Sequence, residues 1–393
     1  MTASPKLLEL SVAERESLGM GHTLREILQQ PQTWRETCQK VQRSSTQLEE
    51  FLTRAGVGAK HPTPLNVLLV GAGTSDYIGK SACALLQKEW SCNVQAVPST
   101  DLLTNMEDHV LPDVEYLWIS FSRSGDSSEG VAVLEQALLA HPHIKHLVVT
   151  CNEKGKMARL ANGDNVLSLV LDDAVNDRGL AMTSSFSNMV IAAQALAHIR
   201  NLGAYDSIVE NLATSASRVL PQVAGLCERL VDEGFSRVCF LGSGPLKAAA
   251  IESGLKVMEL TGGRVIALTE SFLGLRHGPL SAIDRDTLVV GFLSAEERRR
   301  AFELDLMREI CDKKLTEKRL IVTPTSFSAG AHSIPHEFCL ELPGSVSDLY
   351  LPPLSVLVGQ LLGLCASLRE GLRPDEPSPH GAISRVVTHV TIH

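Results

Sequence analysis

The 393-residue chain has no basic surplus, no cysteine pair at metal-ligand spacing and no uninterrupted apolar run of membrane-spanning length. Lysine and arginine number 36 against 45 aspartates and glutamates, a net charge of −9. Nucleic acid is therefore not an expected partner, because neutralising phosphates needs a basic face. The nine cysteines are odd in number and scattered, with no Cys-x-x-Cys. That argues against a disulfide scaffold or a zinc site and for reduced thiols in a cytoplasmic protein. The first twenty residues carry Lys6, Glu9, Glu14, Arg15 and Glu16, which is not a signal-peptide pattern. The most apolar stretch, residues 351–368, is broken by Pro352, Pro353, Ser355, Gln360 and Ser367. It reads as a buried core helix, so no membrane contact is expected.

Apolar residues make up 44% and charged residues 21%, as in a folded chain of two or three domains. Residues 1–60 read as helical and polar, with Thr23 capping a helix that Pro31 interrupts. Gly56, Gly58, Pro62 and Pro64 mark a break. Apolar strand runs then follow at 66–70, 116–121, 146–150 and 166–171, with helical runs at 77–88 and 131–140. Such alternation predicts a parallel sheet with helices on both faces. The pattern returns with strands at 237–241, 265–268, 287–292 and 319–322 and a helix at 246–260. Gly71 and Gly242 stand at equivalent places, 171 residues apart. The fold expected is α/β with two tandem modules, each a doubly wound parallel sheet flanked by helices. The expected boundaries are an N-terminal helical segment at 1–50, modules at 51–215 and 216–373, and a tail at 374–393.

Both glycine turns fail as nucleotide loops. Asp76 and Lys247 stand where the dinucleotide fingerprint needs glycine, and five residues separate Gly73 from Gly79 where a Walker loop needs four. What remains is a pair of tight strand-to-helix turns, which suit a phosphate or simply a bend. A second turn holds Ser122, Arg123, Ser124, Ser127 and Ser128, with Gly125 to bend it and Asp126 with Glu129 as an expected capping box. Four hydroxyls exceed what a cap needs. With Gly73, Thr74 and Ser75 they make a phosphate cradle, each charge-assisted bond being worth roughly 1.5–3 kcal/mol.

Glu252, Lys256 and Glu259 share one face of the later helix, either as an exposed salt-bridging stripe or as a buried set drawn in by Gly254, Gly262 and Gly263. His277 follows in an Arg-His-Gly-Pro turn. His141, His143 and His146 read as a surface connection, and Pro335 between His332 and His336 argues against a helical metal pair, so no metal is assigned.

Together these motifs resemble the SIS, or sugar isomerase, domain family over nearly the whole chain after residue 50. Gly73-Thr74-Ser75 and Ser122 to Ser127 are similar to its sugar-phosphate signature. Glu252, Lys256 and Glu259 followed by His277-Gly-Pro-Leu are similar to the isomerase half of glucosamine-6-phosphate synthase. Here Met1 is followed by Thr2, not the synthase's nucleophilic cysteine, so an ammonia-generating half is not expected. The last lysine is Lys318, and the tail offers Arg385 where the synthase has an imine-forming lysine. The stretch Asp177 to Phe186, with Thr183 and Ser184, and the ending from Ser378 resemble the AgaS-type subfamily more closely. That resemblance implies an amino-sugar-phosphate deaminase/isomerase acting on D-galactosamine 6-phosphate.

The implied roles are His277 for ring opening, Glu259 for moving a proton from C2 to C1, and Lys256 with Glu252 for charge and orientation. No cofactor or metal is implied, since hydrogen bonds and charge suffice for an enolamine. The resemblance also implies a homodimer or higher homo-oligomer, with His277 supplied to a neighbouring subunit. Three readings stay open beside it: a ketose–aldose phosphate isomerase without deamination, a glucosamine-6-phosphate deaminase, and a non-catalytic sugar-phosphate sensor.

Overall fold

The computed structural model describes residues 5–58, 64–161, 163–324, 338–342, 346–378, 380–387 and 390–392. It divides into two compact units. One comprises Gln32–Asp177, Ser184–Val209 and Ser384–His393; the other comprises Met1–Pro31, Arg178–Thr183 and Glu210–Ile383.

Helices α1 to α5 span Lys6–Glu9, Val12–Ser17, Gly21–Leu28, Gln30–Arg43 and Ser45–Arg54. The helical reading of this segment holds, but Thr23 is not a cap. It lies inside α3, buried, and its N–H and hydroxyl both donate to Asp375 Oδ1 at 2.7 Å. A partner 352 residues away took the role that a local cap would have had. Pro31 does not end a helix either; it sits in the first turn of α4, where its missing N–H costs nothing.

The first unit's sheet holds β1 (Leu65–Gly71), β2 (Asn93–Pro98), β3 (Glu115–Ser122), β4 (Lys145–Thr150) and β5 (Val166–Val170), in the order β2-β1-β3-β4-β5. All pairs are parallel. The connecting helices are α6 (Thr74–Trp90), α7 (Ser99–Asn105), α8 (Ser128–Ala140) and α9 (Lys156–Leu160), with α10 (Ser184–Ala197) following. Alternate residues of β1 serve opposite layers, as the period of two requires. Leu68 and Val70 join Leu102 of α7 and Val133 of α8 in one apolar cluster. Leu69 meets α6, where a Cβ on Gly79 would stand 2.9 Å from it. His146 lies in the strand read at 146–150, but its surface reading is corrected: it is fully buried in β4, with its ring edge-on to Trp118 at 5.4 Å.

The second sheet repeats the design after α11 (Leu202–Glu233). Its strands are β6 (Arg237–Leu241), β7 (Ile266–Glu270), β8 (Thr287–Phe292), β9 (Arg319–Thr323) and β10 (Phe338–Glu341). Read from its far edge the order is β7-β6-β8-β9-β10, the same winding as the first, and again all parallel. Around it stand α12 (Pro245–Leu260), α13 (Phe272–Leu275), α14 (Glu297–Asp312) and α15 (Pro352–Arg369). Cys239 and Leu241 of β6 face α13 and α14, and Phe240 faces α12. α15 is the one described helix long and apolar enough to cross a membrane, and nearly all of it is buried in the protein. The two tandem doubly wound modules expected from the strand pattern are therefore present.

Candidate active site

In a sheet of this order the winding reverses between the first and third strands, and ligands bind beyond their C-terminal ends. In the first unit those ends carry the two turns singled out by their glycines and serines. A Cβ on Gly71 would lie 2.4 Å from the Ser75 backbone, so only glycine lets the chain fold back there. Gly73 has φ +54°, a region L side chains avoid, and α6 begins directly after it with Thr74 and Ser75 buried. Asp76 in that first turn pairs with Lys80 at 2.6 Å; burial raises its pKa and the lysine opposes the rise.

The serine turn is built from its own hydroxyls. Ser122 Oγ accepts the Gly125 N–H at 3.0 Å, and Ser124 Oγ accepts the Asp126 N–H at 3.2 Å. The expected capping box is not formed. Ser127 is the N-cap and makes no side-chain cap bond. Asp126 turns away instead and accepts the Lys156 N–H at 2.9 Å, while Asn152 donates to the Ser124 carbonyl at 2.8 Å. The carboxylate thus ties two loops together rather than closing its own helix. Asn152 and Lys156 were missed in the sequence; their position just beyond β4, at the same edge as the serines, was the available signal.

The tail supplies the remaining partners in this unit. Ser128 donates its N–H to the Val387 carbonyl at 3.1 Å. The buried Arg123 guanidinium donates to the Arg385 carbonyl. Arg385 in turn donates to the Asp177 carbonyl at 2.8 Å and to Asn176 Oδ1 at 2.7 Å. Ser184 opens α10, fully buried, with its N–H on Asp177 Oδ1 at 3.1 Å. Thr183, in the other unit, is equally buried, and its carbonyl accepts Gln360 Nε2 at 3.2 Å. Neither exposes a hydroxyl to solvent.

In the second unit α12 brings three of the predicted residues together. Lys256 Nζ stands 3.3 Å from Glu252 Oε1 and 2.5 Å from Glu259 Oε2. Glu252 and Lys256 are fully buried, and the Glu259 side chain is 24% exposed. This is the buried set rather than the surface stripe. Burial alone would push the Lys256 ammonium down, but the two carboxylates more than offset it and its pKa lies above the usual value. Close packing seals the set. A Cβ on Gly254 would meet Thr269 of β7 at 2.4 Å, and one on Gly359 of α15 would meet the Cα of Ser253 at 2.5 Å.

His277 is not joined to this set. It is exposed in the turn between α13 and Pro279, and its N–H donates to the Gly274 carbonyl at 3.0 Å. Sequence reasoning also missed a second buried cluster at the β6 and β8 ends. Glu303 accepts the Ser294 N–H at 2.7 Å and hydrogen-bonds Ser243; burial, with Asp348 nearby, pushes its carboxyl up to about 7. Asp348 accepts the Ala295 N–H at 2.7 Å and pairs with Arg299 at 2.5 Å. Ser243 and Ser294 occupy the places that Ala72 and Arg123 hold in the first unit, but carboxylates fill this second cradle. Among the described residues no three His, Cys, Asp or Glu side chains are grouped to share a metal ion, and His332 and His336 lie outside those residues.

Comparison with known proteins agrees with this geometry. The SIS domain model matches residues 64–199, which span the first sheet and α10. An AgaS protein of Streptomyces coelicolor is 39% identical over 383 residues, 95% of either chain. The Escherichia coli protein named D-galactosamine-6-phosphate deaminase AgaS is 35% identical, covering 94% of this chain and 95% of its own. The solved structure of tagatose-6-phosphate ketose/aldose isomerase from Escherichia coli superposes with a TM-score of 0.85 at 32% identity, over 94% of this chain and 96% of that one. With relatives this similar over nearly its full length, the chain belongs to the AgaS group of SIS-domain proteins.

Proposed function

We propose that the protein is an amino-sugar-phosphate deaminase/isomerase converting D-galactosamine 6-phosphate and water into D-tagatose 6-phosphate and ammonium. The observation that carries this reading is the charge set on α12. A buried ammonium holds the one partly exposed carboxylate, Glu259, in a fixed place at the end of a row of buried charges. The AgaS relative bearing the deaminase name supplies the substrate.

The phosphate is held by Ser122, Ser124, Ser127, Thr74 and Ser75, and that remote grip orients C1 and C2. His277 moves the proton between ring oxygen and O1, since imidazole gives and takes protons near neutral pH. Glu259 takes the C2 proton, leaving an enolamine, and returns a proton to C1. The C2 iminium then adds water, and the carbinolamine collapses to the ketone as ammonium leaves. Lys256 stabilises negative charge developing on oxygen, and Glu252 orients it. No metal or organic cofactor takes part in these steps. Exposure of His277 on its own chain suits a residue that completes a partner's site, so the working form is a homodimer or larger. Nine unpaired thiols suit the cytoplasm.

Glu259→Gln is expected to abolish ammonium release while hexosamine 6-phosphate still binds by calorimetry; near-normal turnover would reject the base assignment. A second reading, ketose–aldose isomerisation alone, has the name of the solved relative in its favour. An ammonia assay across galactosamine and glucosamine 6-phosphates separates the readings. Ammonium from the galacto substrate supports the first, and isomerisation of tagatose 6-phosphate with no ammonium from either amine supports the second.

A further inference from the structure

Arg385, in the part of the tail that belongs to the first unit, is bonded there through both its side chain and its backbone. Its guanidinium donates to Asn176 Oδ1 at 2.7 Å and to the Asp177 carbonyl at 2.8 Å from Nε and 2.6 Å from Nη2. Its own carbonyl accepts the guanidinium of Arg123, 262 residues away. Two residues on, the Val387 carbonyl accepts the N–H of Ser128, the first residue of α8. Arg123 stands between Ser122 and Ser124 and is buried. A buried guanidinium that loses an acceptor bears a desolvation penalty, so the seat of the tail and the conformation of the serine turn are coupled.

Asp177 links the same residue to the other half of the phosphate cradle. Its carboxylate is fully buried at the start of α10, where it accepts the N–H groups of Ser184 at 3.1 Å and Ser185 at 2.9 Å and the Ser185 hydroxyl at 2.5 Å. α10 packs along α6, whose first turn carries Thr74 and Ser75. The buried thiol of Cys151, just past β4, is pushed up by burial and then by Asp177, while Arg123 and Arg385 oppose the rise, so these charges share one neighbourhood. Arg385 thus stands between the segment that fixes the start of α10 and the side chain at the centre of the serine turn.

We propose that Arg385 is a positioning residue for the phosphate cradle: it clamps the serine turn, through Arg123, to the segment that starts α10, through Asp177, and sets phosphate affinity without touching the phosphate. The inference rests on the reading of Ser122, Ser124, Ser127, Thr74 and Ser75 as the phosphate site. A guanidinium suits the clamp because its planar fork presents donors at fixed spacing to Asn176 and Asp177, which a single ammonium does not. Hydroxyls held in place before the ligand arrives bind it more tightly than hydroxyls that must be ordered by it.

Calorimetry on the full-length Glu259→Gln protein tests this with inorganic phosphate and galactosamine 6-phosphate as separate probes. Arg385→Ala is expected to weaken both about tenfold and by similar factors. In the parent background the same variant should raise KM with kcat little changed. Added to Ser124→Ala with Ser127→Ala, it should cost little more, because the turn it positions has already lost its hydroxyls. Asn176→Ala removes one acceptor of the clamp and should weaken both probes about threefold, which reads the same linkage even where Arg385→Ala fails to fold. Parent-like phosphate binding in Arg385→Ala or, where that variant fails to fold, in Asn176→Ala would overturn the proposal. So would a loss for the sugar phosphate with none for inorganic phosphate, or a further full tenfold loss on top of the serine variants. Serine variants that bind phosphate like the parent would overturn the cradle reading and the clamp with it. Serine variants that lose phosphate beside an Arg385 variant that keeps it would overturn the clamp alone.

Discussion

A fully buried ammonium with one carboxylate at 3.3 Å and another at 2.5 Å is stable only as a set. Removing one member leaves a buried charge unmatched, a loss of about 3–5 kcal/mol, whereas replacing buried partners together by groups of similar volume is often nearly neutral. Lys256→Met is therefore expected to lower unfolding free energy by about that amount in urea titrations. Adding Glu252→Gln to it should recover a large share. Glu259 stands at the partly exposed end, where water takes over part of the lysine's role. Glu259→Gln should cost little stability while ammonium release disappears. That split separates the residue that reacts from those that hold it. A Lys256→Met protein as stable as the parent would show that the charges are not mutually dependent.

At the scale of elements, α12 is placed by contacts that only glycine permits. Gly359 on α15 lies against the Ser253 backbone, and Gly363 lies against Leu260 and the Lys256 carbonyl. Overpacking a closed interface costs about 1–3 kcal/mol. Gly359→Ala should lose stability in that range and lower kcat, because α12 must move and carries Glu259. Gly363→Ala should do less, since its nearest neighbour is the end of a flexible leucine. Equal effects at both positions would mean that the interface yields elsewhere. The strands were readable because parallel strands buried on both faces become continuous apolar runs, as in 67–70 and 238–241. The repeated turns were readable because Gly71 and Gly242 each fold back on the residue four places on, Ser75 and Leu246. The caps were not. Thr23 and Asp126 look like local caps, yet each is bonded to a residue far along the chain, Asp375 and Lys156. His146 was placed in its strand but read as exposed, because the turn at Pro142 and His143 just before β4 made the histidines look like one surface connection. The charge set was legible by helical spacing. The Glu303 cluster joins Ser243, Ser294, Arg299 and Asp348 from separate elements, and no spacing rule joins those.

Two buried groups, His146 and Glu303, act on stability with opposite signs between pH 4 and 7. His146 is pushed down to about 4 by burial, so between there and 6.5 the unfolded chain binds more protons, and stability falls as pH falls. Glu303 is pushed up to about 7, so between 4.5 and there the folded chain binds more protons, and stability falls as pH rises. The shifts are of similar size and their windows overlap from 4.5 to 6.5, each with a limiting slope of about 1.4 kcal/mol per pH unit. The two slopes therefore largely cancel, with His198, also lowered by burial, adding to the His146 side and Asp76, also raised by burial, adding to the Glu303 side at the acid end. The parent protein should show a nearly level thermal midpoint from pH 5 to 6.5. Below that range it should fall, as Glu270, Glu296 and Glu309 lose the bonds that hold their carboxyls below the usual range. Glu303→Gln leaves His146 unopposed, and the midpoint should then climb as pH rises from 5 to 6.5. His146→Phe leaves Glu303 opposed only by the partly buried His198, and the midpoint should decline over the same interval. Profiles for both variants as level as the parent's would show that neither group titrates away from its solution value. One sloping variant beside one level one would assign the linkage to a single group.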